Sequence, residues 1–466
     1  MALVVDLDGT LVRGDTLWES FFRALLRSPA DCLFLPSAAL RGKAHLKRWL
    51  IGNDAERIAQ QIPYRTELLE YIRKQRMLGR TVILATGADQ RAAQAVASHL
   101  GIFDQSIGSD GTLNLTGLNK LEELRRILPG TNFVYVGDSR ADIPIWKACR
   151  HAILVGPAVR FREDLEKNGV TIHWSIPIRG TSHQAVIRLI RPHQWAKNLL
   201  VFLPLLLAHR IYDAHALNSG ILAFGGFSFL ASAVYVVNDA LDVPTDRQHP
   251  VKRHRPLADG SVPLSWVPGL VLFLLLAASV SFATLPSACW VLACLYLLCN
   301  FVYTVWLKER LALDIVCLAA FYTVRVALGA TAGGIRLSVW TFAFCALVFT
   351  SLALSKRLSE LRINPQKERR GYLSQDLPIL AALTAASGYA AILVLLVYLA
   401  SEDVRQLYSR PDLLWLACGP LLYWTTRFSI LANRGQLGSD PVSFAVKDRA
   451  TWLVMFAVIT CGWMAS

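Results

Sequence analysis

The sequence predicts an α/β, Rossmann-like domain beneath a helical cap, followed by an all-α polytopic membrane domain of about nine transmembrane helices. Two observations carry this. With 54% hydrophobic residues in 466 and a mean hydropathy of +0.38, the chain is too apolar for an ordinary soluble enzyme and long enough for two or three domains. The excess is also uneven: residues 1–190 mix short apolar runs with charged helical stretches, whereas 199–466 hold nearly all the long apolar segments. The expected division is 1–165 for the first domain, with its cap at about 14–75, then 166–195 for a linker, and 196–466 for the membrane part. Within the linker, Ile176 to Trp195 mixes apolar residues with Arg179, Arg188, Arg191 and His193, the pattern of an interfacial helix.

The formal charge of +14 would suit nucleic acid. A chain with many spans, however, carries Lys and Arg on cytoplasmic loops beside anionic lipid, so the expected partner is membrane and not nucleic acid. The nine cysteines include no CxxC pair and most sit in apolar runs, which indicates neither a disulfide framework nor a zinc site. The opening Ala2-Leu-Val-Val-Asp6 has no basic leader and reads as a buried strand, which places the first domain in the cytosol.

The run Val4-Val5-Asp6-Leu7-Asp8-Gly9-Thr10-Leu11 sets two carboxylates on a loop leaving that strand, where alternate residues can point into one pocket. Three later pieces suit the same pocket. They are Leu84-Ala85-Thr86-Gly87 after a strand at Thr81–Leu84, Lys120 at a helix start, and Val136-Gly137-Asp138-Ser139-Arg140-Ala141-Asp142 after a strand at Asn132–Val136. Repeated strand-then-helix order predicts a parallel sheet whose ligands bind at the carboxyl ends of its strands. Singly, Asp6 and Asp8 could cap a helix and Lys120 could be a solvated lysine; the four pieces together argue for a site.

In order and spacing these pieces resemble the haloacid dehalogenase superfamily of phosphatases, over roughly residues 1–160. The resemblance implies that Asp6 is the nucleophile and that Asp8 protonates the leaving alcohol and then activates water. It also implies Mg2+ held by Asp6, the Asp8 backbone carbonyl and Asp138, with Asp142 in support and Thr86 and Lys120 on the phosphate. Cations are needed because a dianionic monoester repels a carboxylate. The cap's Trp18, Phe21, Phe22, Leu25 and Leu26 read as packing rather than as a lipid contact.

Segments able to cross about 30 Å of hydrocarbon occur near 196–212, 217–238, 264–284, 287–307, 312–334, 338–358, 377–400, 412–430 and 445–465. With residue 190 in the cytosol, loops 239–263, 308–311, 356–376 and 427–449 face inward. They hold sixteen Lys and Arg, Lys367, Arg369 and Arg370 among them, against Arg210, Arg336, Arg405 and Arg410 outside. The imbalance predicts an inner- or plasma-membrane protein with its N-terminal domain and both sites facing the cytosol.

The second segment ends in Tyr235-Val-Val-Asn238-Asp239-Ala-Leu-Asp242-Val-Pro-Thr-Asp246. Steps of three and four put Asn238, Asp239 and Asp242 near one helical face, while Pro244 is expected to end the helix and move Asp246 into the loop. Carboxylates at a span end are costly unless neutralised, so a divalent metal carrying a diphosphate is a natural partner. His249-Pro-Val-Lys252-Arg253-His254-Arg255-Pro256 follows, with cations suited to phosphate oxygens. An ordinary inward loop would explain the cations but not the spaced carboxylates.

This NDxxDxxxD run with its KRxRP stretch resembles the UbiA superfamily of membrane prenyltransferases over about residues 185–466. Within it the match is to the decaprenyl-phosphate phosphoribosyltransferase branch, through Arg191-Pro-His-Gln194-Trp-Ala-Lys197-Asn198, the acidic run, and Tyr303 with Lys308 before Leu313-Asp314-Ile315. Members that use prenyl diphosphates carry a second acidic motif where this chain has Ser355-Lys356-Arg357-Leu-Ser-Glu360. A cationic pair fits an anionic acceptor better than a second metal, although the positive-inside bias alone would also place Lys356 and Arg357 there.

The resemblance implies transfer of 5-phosphoribose from phosphoribosyl pyrophosphate to a polyprenyl phosphate, with Mg2+ on Asp239, Asp242 and Asp246. Lys197, Lys252, Arg253, Arg255, Lys308, Lys356 and Arg357 would hold phosphates, and Asn238, Tyr303 and Glu360 would complete the substrate contacts. The product would bear a phosphate monoester, the substrate class of the N-terminal domain, and its hydrolysis would give polyprenyl-phosphoryl ribose. The competing readings are an aromatic prenyltransferase with a separate phosphatase, a non-catalytic phosphatase-like module, and a transporter. The sequence leaves lipid length and homo-oligomerisation open.

Overall fold

The computed structural model describes residues 1–28, 34–130, 132–177, 181–363, 371–438 and 441–465. Arg179, Lys367, Arg369 and Arg370 lie outside these described residues. The chain falls into two compact units, one made of 1–190 with 235–272 and the other of 191–234 with 273–466.

In the first unit β1 (Ala2–Val5), β2 (Val82–Asp89), β3 (Gln105–Ser109), β4 (Phe133–Gly137), β5 (His151–Val155) and β6 (Thr171–Ile176) form one sheet in the order β3-β2-β1-β4-β5-β6. Every pairing is parallel. Both faces of the sheet are covered, which is why Leu3-Val4-Val5 is an unbroken apolar run. One face packs Leu3 and Val5 against Leu68 and Ile72 of α5 (Thr66–Met77) and Val96 of α6 (Gln90–Leu100). The other packs Val4 and Tyr135 against Leu124 of α7 (Leu118–Ile127) and Trp146 of α8 (Ile143–Cys149). The chain runs outward in both directions from β1, so a crevice opens at the carboxyl ends of β1, β2 and β4. The cap helices are α1 (Thr16–Arg27), α2 (Leu35–Leu40), α3 (Lys43–Ile51) and α4 (Ala55–Gln61), whereas α5 belongs to the crossover into β2.

Two expectations are corrected here. The sheet extends past residue 165, because β6 pairs with β5 up to Val155–Ile176; the alternation Ile172-His-Trp174-Ser-Ile176 is the period-2 pattern of a strand. After α9 (Arg162–Lys167), the expected 166–195 linker is therefore part strand, and its 176–195 stretch holds α10 (His183–Ile190) and the start of a 3-10 segment at Pro192.

Six described helices are long and apolar enough to cross a membrane, rather than nine. They centre on α12 (Ala214–Arg247), α13 (Val267–Phe282), α14 (Ser287–Val305), α15 (Leu313–Ala332), α16 (Val339–Ile363) and α17 (Leu377–Leu399). The other three apolar stretches are irregular. Residues near 196–212 form a 3-10 segment, Pro192–Phe202, running into the short α11 (Leu203–Leu207), where Pro192 and Pro204 withhold helix donors. Beyond α18 (Glu402–Leu407), the 412–430 stretch is a 3-10 turn, Pro411–Ala417, leading into α19 (Cys418–Asn433). The last is divided into α20 (Pro441–Lys447) and α21 (Arg449–Ala465). The 3-10 segment lies tight on α15, since a Cβ at Gly329 would collide with the Val201 carbonyl.

Pro244 does not end α12, which continues to Arg247. A helical proline has a suitable φ and removes one ladder bond, and the turn after it survives if other contacts hold it. Asp246 is thus on the helix, seven residues from Asp239 and on the same side.

Candidate functional site

The loop after β1 is a short π-type turn, Leu7–Leu11, with Gly9 at φ 72°. Glycine is required here for a second reason: a Cβ would strike the Asp138 carboxylate. Arg65 holds the turn from outside, donating through Nε to the Thr10 carbonyl at 2.9 Å and through Nη2 to the Gly9 carbonyl at 3.0 Å. The Asp6 N–H donates to the Val136 carbonyl at 3.0 Å, which ties the nucleophile candidate to β4.

Lys120 Nζ, at the start of α7, lies 2.8 Å from Asp6 Oδ1 and 2.9 Å from Tyr135 Oη. Tyr135 Oη in turn donates to Asp142 Oδ1 at 2.8 Å, and Asp142 Oδ2 accepts from the Ser139 N–H and hydroxyl. One carboxylate oxygen each from Asp6, Asp138 and Asp142 lie within 4.8 Å of one another. Burial pushes the Asp6 carboxyl up to about 6 against the pull of Lys120, and burial with the neighbouring Asp6 pushes Asp138 up to about 8. Burial draws Lys120 down, but Asp6 and Asp142 outweigh it and hold the ammonium charged. Three crowded carboxylates with one lysine between them form a donor set that fits a hard divalent cation.

Asp8 stands apart from that trio. Its Oδ1 accepts from the Thr16 N–H at 2.7 Å and its Oδ2 from the Thr16 hydroxyl at 3.0 Å. Burial, aided by Asp15, holds its carboxyl well above the usual range, the state an acid needs. Thr86 is fully buried; its Oγ1 accepts from the Ala88 N–H at 3.0 Å, which leaves its own proton to give. Lys47 of α3 reaches in from the cap to the Gly87 carbonyl at 2.6 Å.

The acidic end of α12 belongs to this same unit. Asp239 and Asp246 are buried, while Asn238 and Asp242 are half-buried. Arg255 Nη1 donates to Asp239 Oδ1 at 3.0 Å and to Asp246 Oδ2 at 2.6 Å, and Lys252 Nζ lies 3.8 Å from Asp246 Oδ1. Arg253 is exposed on the short 3-10 turn Lys252–His254. Arg255, expected on phosphate, is here the clamp on the acids.

In the second unit Asn198, next to the half-buried Lys197, donates to Ser228 Oγ at 3.0 Å and accepts from Arg325 Nε at 2.8 Å. Arg325 is buried in α15 among the rings of Phe227, Tyr296 and Tyr322, 5.0 to 5.6 Å from its guanidinium carbon. Arg357 is buried too and ion-paired with Asp314 and Glu360, and Tyr372 Oη donates to Asp314 at 2.6 Å. Arg357 Nη2 is buried with no hydrogen-bond partner among the described residues. Ala312 at φ 64° turns the chain into Asp314, a strained conformation for a residue with a Cβ. Tyr303, Lys308 and Lys356 are half-buried in the same unit.

Sequence reasoning missed Tyr135, Thr16, Lys47 and Arg325. A tyrosine in the otherwise apolar Phe133-Val-Tyr-Val-Gly137 strand and a lone arginine inside an apolar span were signals. Thr16 and Lys47 carried none.

The description of the UbiA prenyltransferase family matches residues 199–458, and that of haloacid dehalogenase-like hydrolases matches 3–147. An uncharacterized protein, y4nM, of Sinorhizobium fredii is 36% identical over 462 residues, covering 97% of this chain and 89% of the relative. Nodulation protein NoeC of Azorhizobium caulinodans is 35% identical over 266 residues, 55% of this chain and 85% of its own. Decaprenyl-phosphate phosphoribosyltransferase of Mycobacterium tuberculosis is 32% identical over 288 residues, 59% of this chain and 91% of its own. The chain therefore belongs to the UbiA prenyltransferase family and carries a haloacid dehalogenase-like hydrolase domain at its N-terminal end.

Proposed function

We propose that the chain is a bifunctional membrane enzyme that transfers 5-phosphoribose from phosphoribosyl pyrophosphate to a polyprenyl phosphate, then removes the 5-phosphate to leave polyprenyl-phosphoryl ribose. The observation that carries the reading is Asp6 set against the buried Lys120. A carboxylate with an ammonium at 2.8 Å suits a dianionic monoester, and a monoester is what phosphoribosyl transfer leaves on its product. The name of the mycobacterial relative supports the first half.

In the hydrolysis, an Asp6 oxygen attacks phosphorus and the bond to the sugar oxygen breaks. The leaving alkoxide takes the proton of Asp8. Water then attacks the aspartyl phosphate and gives its proton to the Asp8 carboxylate, which releases phosphate and regenerates Asp6. Lys120 and the Thr86 hydroxyl hold phosphoryl oxygens. Asp6, Asp138 and Asp142 would hold Mg2+, which when bound would supply the positive charge that lets a phosphate anion approach a carboxylate. In the transfer, Asp239, Asp242 and Asp246 would hold Mg2+, which would supply the charge that binds the departing pyrophosphate, and Lys197, Lys252, Arg253, Lys308, Lys356 and Arg357 would bind phosphates. Both activities face the cytosol in this reading, which the sixteen inward Lys and Arg support.

One observation favours an aromatic prenyltransferase instead. Arg357 is already matched by Asp314 and Glu360, so it is less cationic toward an anionic acceptor than its sequence suggests. Purified protein given labelled phosphoribosyl pyrophosphate, a polyprenyl phosphate and Mg2+ should label the lipid. No label, together with prenylation of an aromatic acid from a polyprenyl diphosphate, would overturn the phosphoribosyl reading.

A further inference from the structure

Arg247 closes α12, one residue past Asp246, and its guanidinium engages three elements. Nη2 donates to Glu19 Oε1 on α1 at 2.6 Å, Nη1 to the Gln61 carbonyl at the end of α4 at 3.1 Å, and Nε to the Ala258 carbonyl at 3.1 Å. The two side chains are only 12% and 3% exposed. A glutamate so buried needs a partner, and removing either member strands the other charge. The loop beyond Arg247 makes a second approach. Gly260, at φ +76°, packs where a Cβ would stand 3.2 Å from Cβ of Arg13, the residue that leaves the catalytic loop.

Helix α1 joins these contacts to the chemistry. It begins at Thr16, whose N–H and hydroxyl hold both oxygens of Asp8, and Glu19 follows three residues later on the next turn. Residues three apart are neighbours on one helix face, so the ion pair at Glu19 bears on the turn that carries Thr16.

We propose that Arg247 is a positioning residue for the phosphatase: through Glu19 and the first turn of α1 it fixes Thr16, and with it the aim of the Asp8 carboxyl at the leaving oxygen. This rests on the reading of Asp6 and Asp8 as the phosphatase pair. The phosphatase site is then incomplete without the helix that carries the acidic run of the transferase.

The test uses the full chain with Mg2+ and two phosphate esters that differ in their need for an acid. p-Nitrophenolate leaves without a proton, whereas ribose 5-phosphate must release an alkoxide. In Arg247→Gln, single-turnover release of p-nitrophenolate should stay within about twofold of wild type, while kcat for ribose 5-phosphate falls about tenfold with KM unchanged. Glu19→Gln should reproduce this, and Arg247→Lys should keep more than about half of the wild-type kcat. Equal losses on both esters in Arg247→Gln and Glu19→Gln, or no loss on ribose 5-phosphate, would overturn the positioning role alone. A wild-type protein that hydrolyses neither ester would overturn the phosphatase reading and this inference with it.

Discussion

The two acidic clusters of the first unit are neutralised in different ways. Asp6, Asp138 and Asp142 come from two strand ends and a helix start and crowd one another, with the cation, Lys120, brought in from a further helix. Asp239, Asp242 and Asp246 are spaced along one helix, and Arg255 from the following loop bridges the first and the last. The first cluster is built by tertiary structure and stays crowded until a cation joins it. The second is built by helical periodicity and is already satisfied by an arginine that a metal-bound diphosphate would have to share or displace. On the proposed function, the site at Asp6 is thus preformed, whereas the one at Asp239 would exchange a partner on binding.

The comparison breaks most sharply if the clusters are not independent. Asp239→Ala or Asp242→Ala should abolish lipid labelling, a loss of about a thousandfold or more, of the order seen when a charge-stabilising group is removed from a site. Hydrolysis of p-nitrophenyl phosphate should stay within about twofold, because both residues lie on α12 while the Asp6 and Asp8 carboxylates are held by Lys120 and Thr16. Transfer that persists with unchanged Mg2+ dependence would reduce the acidic run to a helix end.

Next in size is Arg357. Its replacement by Ala leaves Asp314 buried and uncompensated and should cost about 3–5 kcal/mol of stability, read as a lowered Tm. Arg357→Lys should recover part of that cost. A variant as stable as wild type would mean that the Asp314–Arg357 pair is not a buried ion pair.

The crowded cluster also makes a pH prediction. Asp6 and Asp138 are raised in the folded, metal-free protein to about 6 and about 8, above an unfolded value near ~3.9. Their contribution to stability is full below the unfolded value and is lost as pH rises through the folded ones. Mg2+ competes with those protons, so the rise in Tm on adding Mg2+ should be large at pH 8.5 and small at pH 5. An equal rise at both would place the cation elsewhere.

The smallest effect is expected at Lys356. Lys356→Ala should raise the acceptor KM about tenfold or more, on the order of the ~1.5–3 kcal/mol of one charged hydrogen bond, and leave the donor KM unchanged. An unchanged acceptor KM would favour an uncharged acceptor.

Much of this could be read from residue order. Asp6, Asp8, Lys120 and Asp138 occupy loops or a helix start tied to short apolar strands, and Thr86 lies within β2 itself; strand-end placement follows from local pattern. Strand β6 was missed because its Ile-His-Trp-Ser-Ile alternation is short and half-exposed. Asp246 was misplaced because a helical proline is a local break that packing can override. Arg255 and Arg357 read as phosphate ligands in the sequence, which shows a cation but not the carboxylates that each also meets across the fold. Glu19 meeting Arg247 spans 228 residues, a pairing that no local spacing encodes.

The central claim is that two sites act in turn on one lipid, and Asp6→Asn tests it most directly. Given labelled phosphoribosyl pyrophosphate, a polyprenyl phosphate and Mg2+, the variant should label lipid at the wild-type rate but accumulate the form that retains its phosphate monoester, while wild type proceeds to polyprenyl-phosphoryl ribose. Full conversion to the dephosphorylated lipid by Asp6→Asn, in a preparation free of other phosphatases, would contradict the account.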